Sequence, residues 1–210
     1  MKHIEFYLDF ISPFAYLAFE KLPEALAGVS HCITYKPVLF AGLLKHHGQL
    51  GPAEIAPKRD WTYRQALWLA REHGITMQMP ATHPFNPLGL LRLAVATDAG
   101  GTPNRYVCER LFRHVWHSGA EASDAGRLQA LAAELAPPRV PDSPEVKRQL
   151  AAHGDSALAC GVFGVPSFVV DGRVFWGFDA LPMLSAYLRG EPWFDGAWQQ
   201  AAAVGAGARR

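Results

Sequence analysis

The segment D-F-I-S-P-F-A-Y, residues 9–16, places a hydroxyl at the predicted start of a helix. Serine followed by proline is typical of a helix N-cap with proline at the first helical position. The unpaired backbone N–H groups and the positive end of the helix dipole would stabilise an anion there, and a thiolate is such an anion. Because caps of this kind are common, Ser12-Pro13 is also compatible with a plain helix start, and both interpretations stay open.

A proline stands directly before a predicted strand in the segment G-V-F-G-V-P-S-F, residues 161–168. Proline cannot donate a hydrogen bond to a sheet ladder, so it is expected at the first residue of a strand or at an edge. A cis Val165–Pro166 bond would leave the Val165 N–H and C=O free to pair with a peptide ligand as an extra strand. An ordinary strand-opening proline is the plainer alternative.

An acidic residue, Asp179, lies between a predicted strand and a predicted helix in the segment F-W-G-F-D-A-L, residues 175–181. Aspartate is a common helix N-cap, and that role alone would account for it. The functional interpretation is that Asp179 and neighbouring N–H groups hold the charged end of a small zwitterion.

The apolar periodicity predicts strand, helix and strand at the start of the chain, and a hairpin followed by a helix near its end. The predicted strands are residues 3–9, 32–38, 167–170 and 173–176, the last two joined by a two-residue turn at Asp171-Gly172. The predicted helices run from Ser12 to Gly28 and over residues 57–73, 88–99, 103–116, 124–135 and 181–188, with another beginning at Ser143 and a separate short piece over 155–160.

The first and last parts are too small to form separate cores, so they are expected to share one mixed sheet. This order predicts an α/β protein with a thioredoxin-like fold and an inserted all-helical domain. The thioredoxin-like domain would be discontinuous, over residues 1–41 and 154–190, with the helical domain over 42–153. Residues 191–210 would form a C-terminal tail whose end, from Gly196 onward, is expected to fray.

The cysteines argue against dithiol chemistry. In a thioredoxin-like plan a Cys-x-x-Cys pair would lie after the first strand, but Ser12 and Ala15 occupy those two positions. Cys32, Cys108 and Cys160 are far apart in the sequence and are expected to be buried small hydrophobes.

Composition excludes several classes of partner. Half of the residues are hydrophobic and 19% are charged, a composition that argues against disorder. The net charge of +1 argues against binding of nucleic acid or of an anionic membrane. His114 and His117 have helical spacing, but no third ligand follows at a recognisable distance, so no metal site is predicted. No apolar signal segment follows Met1, and the expected compartment is the cytoplasm.

Taken together and in this order, the motifs resemble the 2-hydroxychromene-2-carboxylate isomerase family of the DsbA-like, kappa-class glutathione transferase group. They are D-F-x-S-P-F-x-Y, G-V-F-G-V-P-x-F and W-G-x-D-x-L-x-M-L, and the resemblance runs from about His3 to Leu188. Each motif alone is weak, whereas the ordered set is specific. Through the helical insertion the resemblance is looser.

The resemblance implies a glutathione-dependent cis–trans isomerase that interconverts 2-hydroxychromene-2-carboxylate and trans-o-hydroxybenzylidenepyruvate. Its small-molecule partner would be an aromatic keto acid from aromatic catabolism, and a homodimer is common in the family. Addition of the glutathione thiolate would turn a locked double bond into a rotatable single bond, and elimination would return glutathione unconsumed.

The resemblance also implies roles for individual residues around glutathione. Ser12 would hydrogen-bond the thiolate without itself attacking, and the backbone of Val165, next to Pro166, would pair with the cysteinyl segment. The γ-glutamyl end would be held by Trp176, Gly177, Phe178 and Asp179.

Other positions correspond less closely to the family. Gly48-Gln49 stands where relatives usually have Gly-Asn, and Phe85-Asn86 matches a segment on the substrate side. Lys36 and Lys58 would meet a carboxylate of the substrate or of glutathione, with solvated surface lysines as the alternative.

Two positions depart from the family pattern, and other functions stay open. Ala180 replaces a common arginine, and Phe178 replaces a usual polar residue. One alternative is a kappa-type glutathione transferase or peroxidase that uses the same site but consumes the thiol. Another is a non-catalytic glutathione- or peptide-binding protein, whereas a disulfide oxidoreductase would require sulfur at position 12.

Overall fold

A four-stranded mixed sheet organises the chain in the computed structural model, which describes residues 1–205. The strand order is β2-β1-β3-β4, with β1 parallel to β2 and antiparallel to β3, and β3 antiparallel to β4. This confirms the predicted mixed sheet. The strands are β1 (Lys2–Leu8), β2 (His31–Pro37), β3 (Ser167–Val170) and β4 (Arg173–Trp176).

The helices fall close to the predicted ranges, with two differences. A short helix, α2, follows β2 closely, in a segment for which no helix was predicted. The helix from Pro144 continues through Gly154 to Ala159, so the separate piece predicted over residues 155–160 was wrong. Helix extension is cooperative, and one glycine costs only about 1 kcal/mol. The helices are α1 (Pro13–Ala25), α2 (Phe40–His46), α3 (Ala56–Glu72), α4 (Leu88–Ala96), α5 (Arg105–Trp116), α6 (Ala125–Leu135), α7 (Pro144–Ala159), α8 (Leu181–Leu188) and α9 (Ala197–Ala202).

Alternation along β1 gives the sheet two buried faces. Ile4, Phe6 and Leu8 belong to the core shared with α1, α4 and α5. Tyr7 points the other way and packs with Ala157 of α7 and Val165. Because β1 is buried on both faces, its C-terminal end is held rigidly where the chain turns toward α1.

The sheet and the inserted helices share one continuous core. Phe10 and Phe19 pack edgewise or tilted against Phe112 of α5, with ring centroids 4.9 and 5.1 Å apart. The division into residues 1–41 with 154–190, 42–153 and 191–210 stays a prediction, and its boundary at 153/154 lies inside α7.

The C-terminal segment is ordered beyond Gly196. Phe194 is buried against Phe175 and Tyr187, and Trp198 of α9 lies 5.5 Å from the Phe175 ring. The expected fraying is therefore wrong for Ala197–Ala202, where aromatic packing anchors the helix. The part of that prediction that covers residues 206–210 lies outside the described residues.

The cysteines occupy different environments. Cys108 is fully buried, as expected, and burial raises the pKa of its thiol. Cys32 and Cys160 are only half-buried, which corrects that expectation for both. Across residues 1–205, none of the helices combines the length and the apolar character needed to cross a membrane.

Candidate functional site

Ser12 begins α1 as a side-chain cap, which confirms the predicted N-cap. Its backbone is extended, Pro13 takes the first helical position, and Ser12 Oγ accepts a hydrogen bond from Ala15 N at 3.2 Å. Only 7% of the Ser12 surface is exposed. Within residues 1–205 no group accepts the Ser12 hydroxyl proton, so this proton is available to an incoming anion.

The turn before Ser12 is closed by the buried carboxylate of Asp9. Ser12 N donates to Asp9 O at 3.1 Å, and Ile11 N donates to Asp9 Oδ1 at 3.2 Å. The second carboxylate oxygen accepts from Phe40 N, at the start of α2, at 2.9 Å. Asp9 is fully buried, and this desolvation raises the pKa of its carboxyl to about 7 despite the three N–H donors of Phe40, Ile11 and Phe10.

Two side chains from the helical insertion hold the carbonyls of the same turn. Trp116 Nε1 donates to Phe10 O at 3.0 Å, and His83 Nε2 lies 2.8 Å from Ile11 O. Sequence reasoning missed both residues in this role. Each meets the turn across a long stretch of chain, and no local spacing marks such a contact.

Sheet register brings the Val165–Pro166 segment to the end of β1. Tyr7 pairs with Ser167, so the residues just before Ser167 lie beside those that follow Leu8. The Val165–Pro166 peptide bond is cis. In the described part of the chain, neither the N–H nor the C=O of Val165 has a hydrogen-bond partner, and the residue is 7% exposed.

The end of β4 reaches the same edge of the sheet. Trp176 pairs with Ser167, and Gly177 N donates to Pro166 O at 2.9 Å. The Trp176 indole is 54% exposed and lies 4.9 Å from the ring of Phe163. The segments of Ser12, Val165 and Trp176 therefore meet at one edge, as the predicted fold requires.

Asp179 does not cap a helix. It lies inside a short 3-10 turn, Phe178–Ala180, and α8 begins after Ala180 without a side-chain cap. The plain N-cap interpretation is thus wrong. Asp179 is exposed, and within residues 1–205 its carboxylate has neither an ion-pair nor a hydrogen-bond partner, so it is free to meet a cation.

The Phe178 side chain packs against residues of α1 and α3. The ring packs 5.1 Å from His73 and joins the small cluster formed by Leu17 of α1 and Ala66 of α3. The side chain is half-buried in this cluster. This packing gives a structural reason for the apolar residue where relatives usually have a polar one.

The predicted substrate-side residues are only partly drawn together. Phe85 lies 6.0 Å from the His83 ring and so belongs to the surroundings of the Ser12 turn, while Asn86 Oδ1 accepts from Leu88 N at the start of α4. Gly48 and Gln49 form an exposed turn after α2, with Gly48 at φ +62°. Lys58 is exposed in the first turn of α3.

Lys36 is already paired. Its Nζ donates to Glu5 Oε1 and lies 3.3 Å from the Tyr7 hydroxyl, beside Ser156 of α7. The pair is largely buried, with 16% and 22% of the two side chains exposed. Separating Lys36 from Glu5 would leave a buried carboxylate unpaired, so its charge serves the fold more readily than a ligand.

The described residues contain no cluster of three or more histidine, cysteine or acidic side chains arranged to hold a metal ion. Of the two helical histidines, His114 Nε2 bonds Ala122 O and His117 Nε2 bonds the Tyr16 hydroxyl.

Comparison with known proteins agrees with this architecture. Residues 3–189 match the DSBA-like thioredoxin domain family. The chain belongs to this family.

The similar proteins include both isomerases and transferases. A 2-hydroxychromene-2-carboxylate isomerase from Sphingobium xenophagum is 28% identical, covering 89% of this chain and 98% of the relative. Glutathione S-transferase kappa 2 from Caenorhabditis elegans is 27% identical, covering 89% and 92%. A solved 2-hydroxychromene-2-carboxylate isomerase superposes with a TM-score of 0.75 at 21% identity, covering 97% of this chain and all of that one. The fold is therefore the DSBA-like thioredoxin fold with a helical insertion.

Gly177 is the glycine of this DSBA-like site that tolerates a side chain least. Its φ is +102°, and an added Cβ would overlap Asp179 Oδ1. We expect Gly177→Ala to lower the free energy of unfolding by about 1–3 kcal/mol and to displace the Asp179 carboxylate.

Gly190→Ala is the matched control for urea unfolding, because Gly190 has φ +80° and nothing within 4 Å of its added Cβ. Both variants should be destabilised, and Gly177→Ala more so, because only its added Cβ also meets a neighbouring side chain. Equal losses of unfolding free energy in the two variants would contradict the contact between this Cβ and Asp179.

Proposed function

We propose that this protein is a glutathione-dependent cis–trans isomerase acting on an aromatic keto acid of the 2-hydroxychromene-2-carboxylate class. The proposal rests on one observation above all. The buried Ser12 hydroxyl lies at the start of α1, and its O–H has no acceptor within residues 1–205. It shares one edge of the sheet with the Val165 N–H and C=O, which also lack partners there. Sequence identity of 27–28% to an isomerase and a kappa-class transferase, over 89% of this chain, supports the proposal.

The unsatisfied groups of this edge fit the parts of glutathione in order. Ser12 offers an O–H donor and the helix dipole to a thiolate. Val165 offers one unpaired N–H and one unpaired C=O, the groups with which a sheet pairs an added peptide. Asp179 offers an exposed carboxylate to the ammonium group of the γ-glutamyl end.

When bound, glutathione supplies a nucleophilic thiolate for reversible addition to, and elimination from, the conjugated double bond of the substrate. The protein's own contribution is to keep that sulfur ionised and aimed. The Ser12 hydroxyl would donate a hydrogen bond to the sulfur and stay protonated. The hydrogen bond from Ala15 N holds Ser12 Oγ in place. Because Ala15 stands where a second cysteine would lie, no protein thiol competes in this loop.

The same edge also provides apolar surface for an aromatic ring. Phe163 and Trp176 are exposed by 37% and 54% and pack on each other beside Val165. Phe85 lines the other side of the Ser12 turn through its contact with His83. We assign the aromatic part of the substrate to this region and leave Lys36, held by Glu5, outside it.

The direct test follows the isomerisation of 2-hydroxychromene-2-carboxylate by absorbance, with and without glutathione, while free thiol is titrated in parallel. We expect turnover that requires glutathione and leaves the thiol concentration constant. Thiol loss on a chlorinated arene without isomerisation would instead select the transferase function of the kappa-class relatives. Binding of glutathione without either reaction would leave a binding protein.

A further inference from the structure

The turn that presents Ser12 is fastened to the helical insertion by hydrogen bonds to two successive carbonyls. Trp116 holds Phe10 O from the fully buried core, and His83 holds Ile11 O from a half-buried position. The Ile11 carbonyl belongs to the peptide group that Ser12 completes. Because this peptide group is planar, the direction of the Ile11 carbonyl sets the position of Ser12 N and Cα. The Ser12 hydroxyl is attached to that backbone by one staggered torsion, χ1, so its position follows.

The partners of the ring fix the tautomer of His83. A carbonyl oxygen only accepts, so Nε2 must carry the proton that points at Ile11 O, 2.8 Å away. In the neutral ring Nδ1 is then an acceptor, and the Tyr63 hydroxyl lies 2.7 Å from it. Burial lowers the pKa of His83, which favours this neutral form.

Tyr63 fits the ring in its charged form as well. The same hydroxyl lies 2.8 Å from the His83 carbonyl oxygen, so it could donate there and accept from a protonated Nδ1. In either state Nε2 keeps its proton toward Ile11 O. The ring is thus oriented by α3 on one side and holds the Ser12 turn on the other, whether or not it is protonated.

We propose that His83, oriented by Tyr63, is a positioning residue that fixes the Ile11–Ser12 peptide and thereby the Ser12 hydroxyl at the N-terminus of α1. This inference deepens the proposed function and rests on it for the identity of the ligand. The positioning itself concerns only groups of the protein. His83 does not touch the thiolate in this account, because its Nε2 is occupied by Ile11 O.

The test compares three variants of the full-length protein. His83→Leu removes the donor, and His83→Gln returns an amide N–H at about the reach of Nε2. Tyr63→Phe keeps the donor but releases the ring. Circular dichroism and thermal unfolding establish that each variant is folded.

The first readout needs no ligand. Ala15 N donates to Ser12 Oγ, so the exchange rate of the Ala15 amide proton, measured by NMR, reports the position of the hydroxyl. We expect exchange to rise at least about fivefold in His83→Leu, the factor that corresponds to one hydrogen bond of ordinary strength. His83→Gln should restore most of the protection, and Tyr63→Phe should lie between the two.

The second readout is the pKa of the thiol of glutathione bound to each folded variant. It is measured by the ultraviolet absorbance of the thiolate as a function of pH. We expect it to rise by about one unit in His83→Leu, with recovery in His83→Gln. A merely structural role would lower stability without moving this pKa.

Each outcome decides one of the two claims. Unchanged Ala15 exchange in His83→Leu, or equal acceleration in the Leu and Gln variants, would overturn the positioning role. A wild-type protein that does not bind glutathione would overturn the proposed function, while the exchange data would still judge His83. If His83→Leu does not fold, the Tyr63→Phe variant decides. Exchange of its Ala15 amide proton at the wild-type rate would overturn the inference, and faster exchange would support it.

Discussion

Ser12→Ala is expected to lower kcat/KM for glutathione-dependent isomerisation by about 10- to 100-fold. Under the proposed function the variant removes a hydrogen bond to a charged sulfur, and such bonds contribute about 1.5–3 kcal/mol. Because this bond favours the thiolate over the thiol, the pKa of bound glutathione should rise by about one to two units. Steady-state kinetics and a pH titration of the bound thiol measure the two effects.

The chain contains a matched control for the structural part of this change. Ser143 caps α7 through its side chain, accepting from Val146 N at 3.3 Å, and Pro144 follows it as Pro13 follows Ser12. Both alanine variants should lose about 1 kcal/mol of unfolding free energy as caps. Only Ser12→Ala should lose activity. Equal activity of the two variants would contradict a role of Ser12 beyond starting α1.

The buried Asp9 should make the stability of the protein fall as the pH rises from about 4 to about 7. Burial raises its pKa from 3.8 to about 7, so in this interval the unfolded chain loses a proton that the folded chain keeps. A difference of about three pH units between the two pKa values corresponds to about 4 kcal/mol. The contribution is complete below the unfolded pKa and is lost as the pH passes the folded one.

Urea unfolding of wild type and Asp9→Asn across this pH range isolates the effect. The stability of wild type relative to Asp9→Asn should fall by up to about 4 kcal/mol between pH about 4 and about 8. Asp171→Asn is the control, because Lys2 and Tyr187 lower the pKa of this exposed carboxyl and its contribution stays constant above the unfolded value. Parallel curves for wild type and Asp9→Asn would mean that Asp9 ionises equally in both states.

Local patterns were sufficient for the sheet and for most helices. β3 and β4 begin and end at the predicted residues because Asp171-Gly172 fixes the turn between two short apolar runs. Ser12-Pro13 and Ser143-Pro144 mark two helix starts correctly for the same reason. The short α2 has no cap or long apolar repeat to mark it, and α7 continues through Gly154 because one glycine costs too little to end a cooperative helix.

The candidate site was predictable only for residues that lie at the ends of predicted strands and helices. Ser12, Val165 and Trp176 are placed by strand ends, so fold order alone brings them to one edge. His83 and Trp116 reach the same turn across 72 and 106 residues, and such contacts leave no local signature.

Two charged residues show the same limit from the other side. The sequence left Lys36 open between ligand binding and a solvated surface position, but Glu5 of the neighbouring strand β1 pairs with it in the fold. Asp179 was open between a helix cap and a ligand-binding carboxylate, and the fold places it inside a 3-10 turn with its carboxylate exposed. In both cases tertiary structure, which local sequence does not record, decides between the alternatives.

The central claim is that Ser12 and the start of α1 hold the thiolate of glutathione. The most direct test titrates wild-type protein saturated with glutathione and follows the ultraviolet absorbance of the thiolate against pH. The account predicts that the bound thiol ionises with a pKa at least about one unit below the value of about 8.5 for a free cysteine thiol. A bound thiol with the pKa of free glutathione, or no binding at millimolar glutathione, would contradict it.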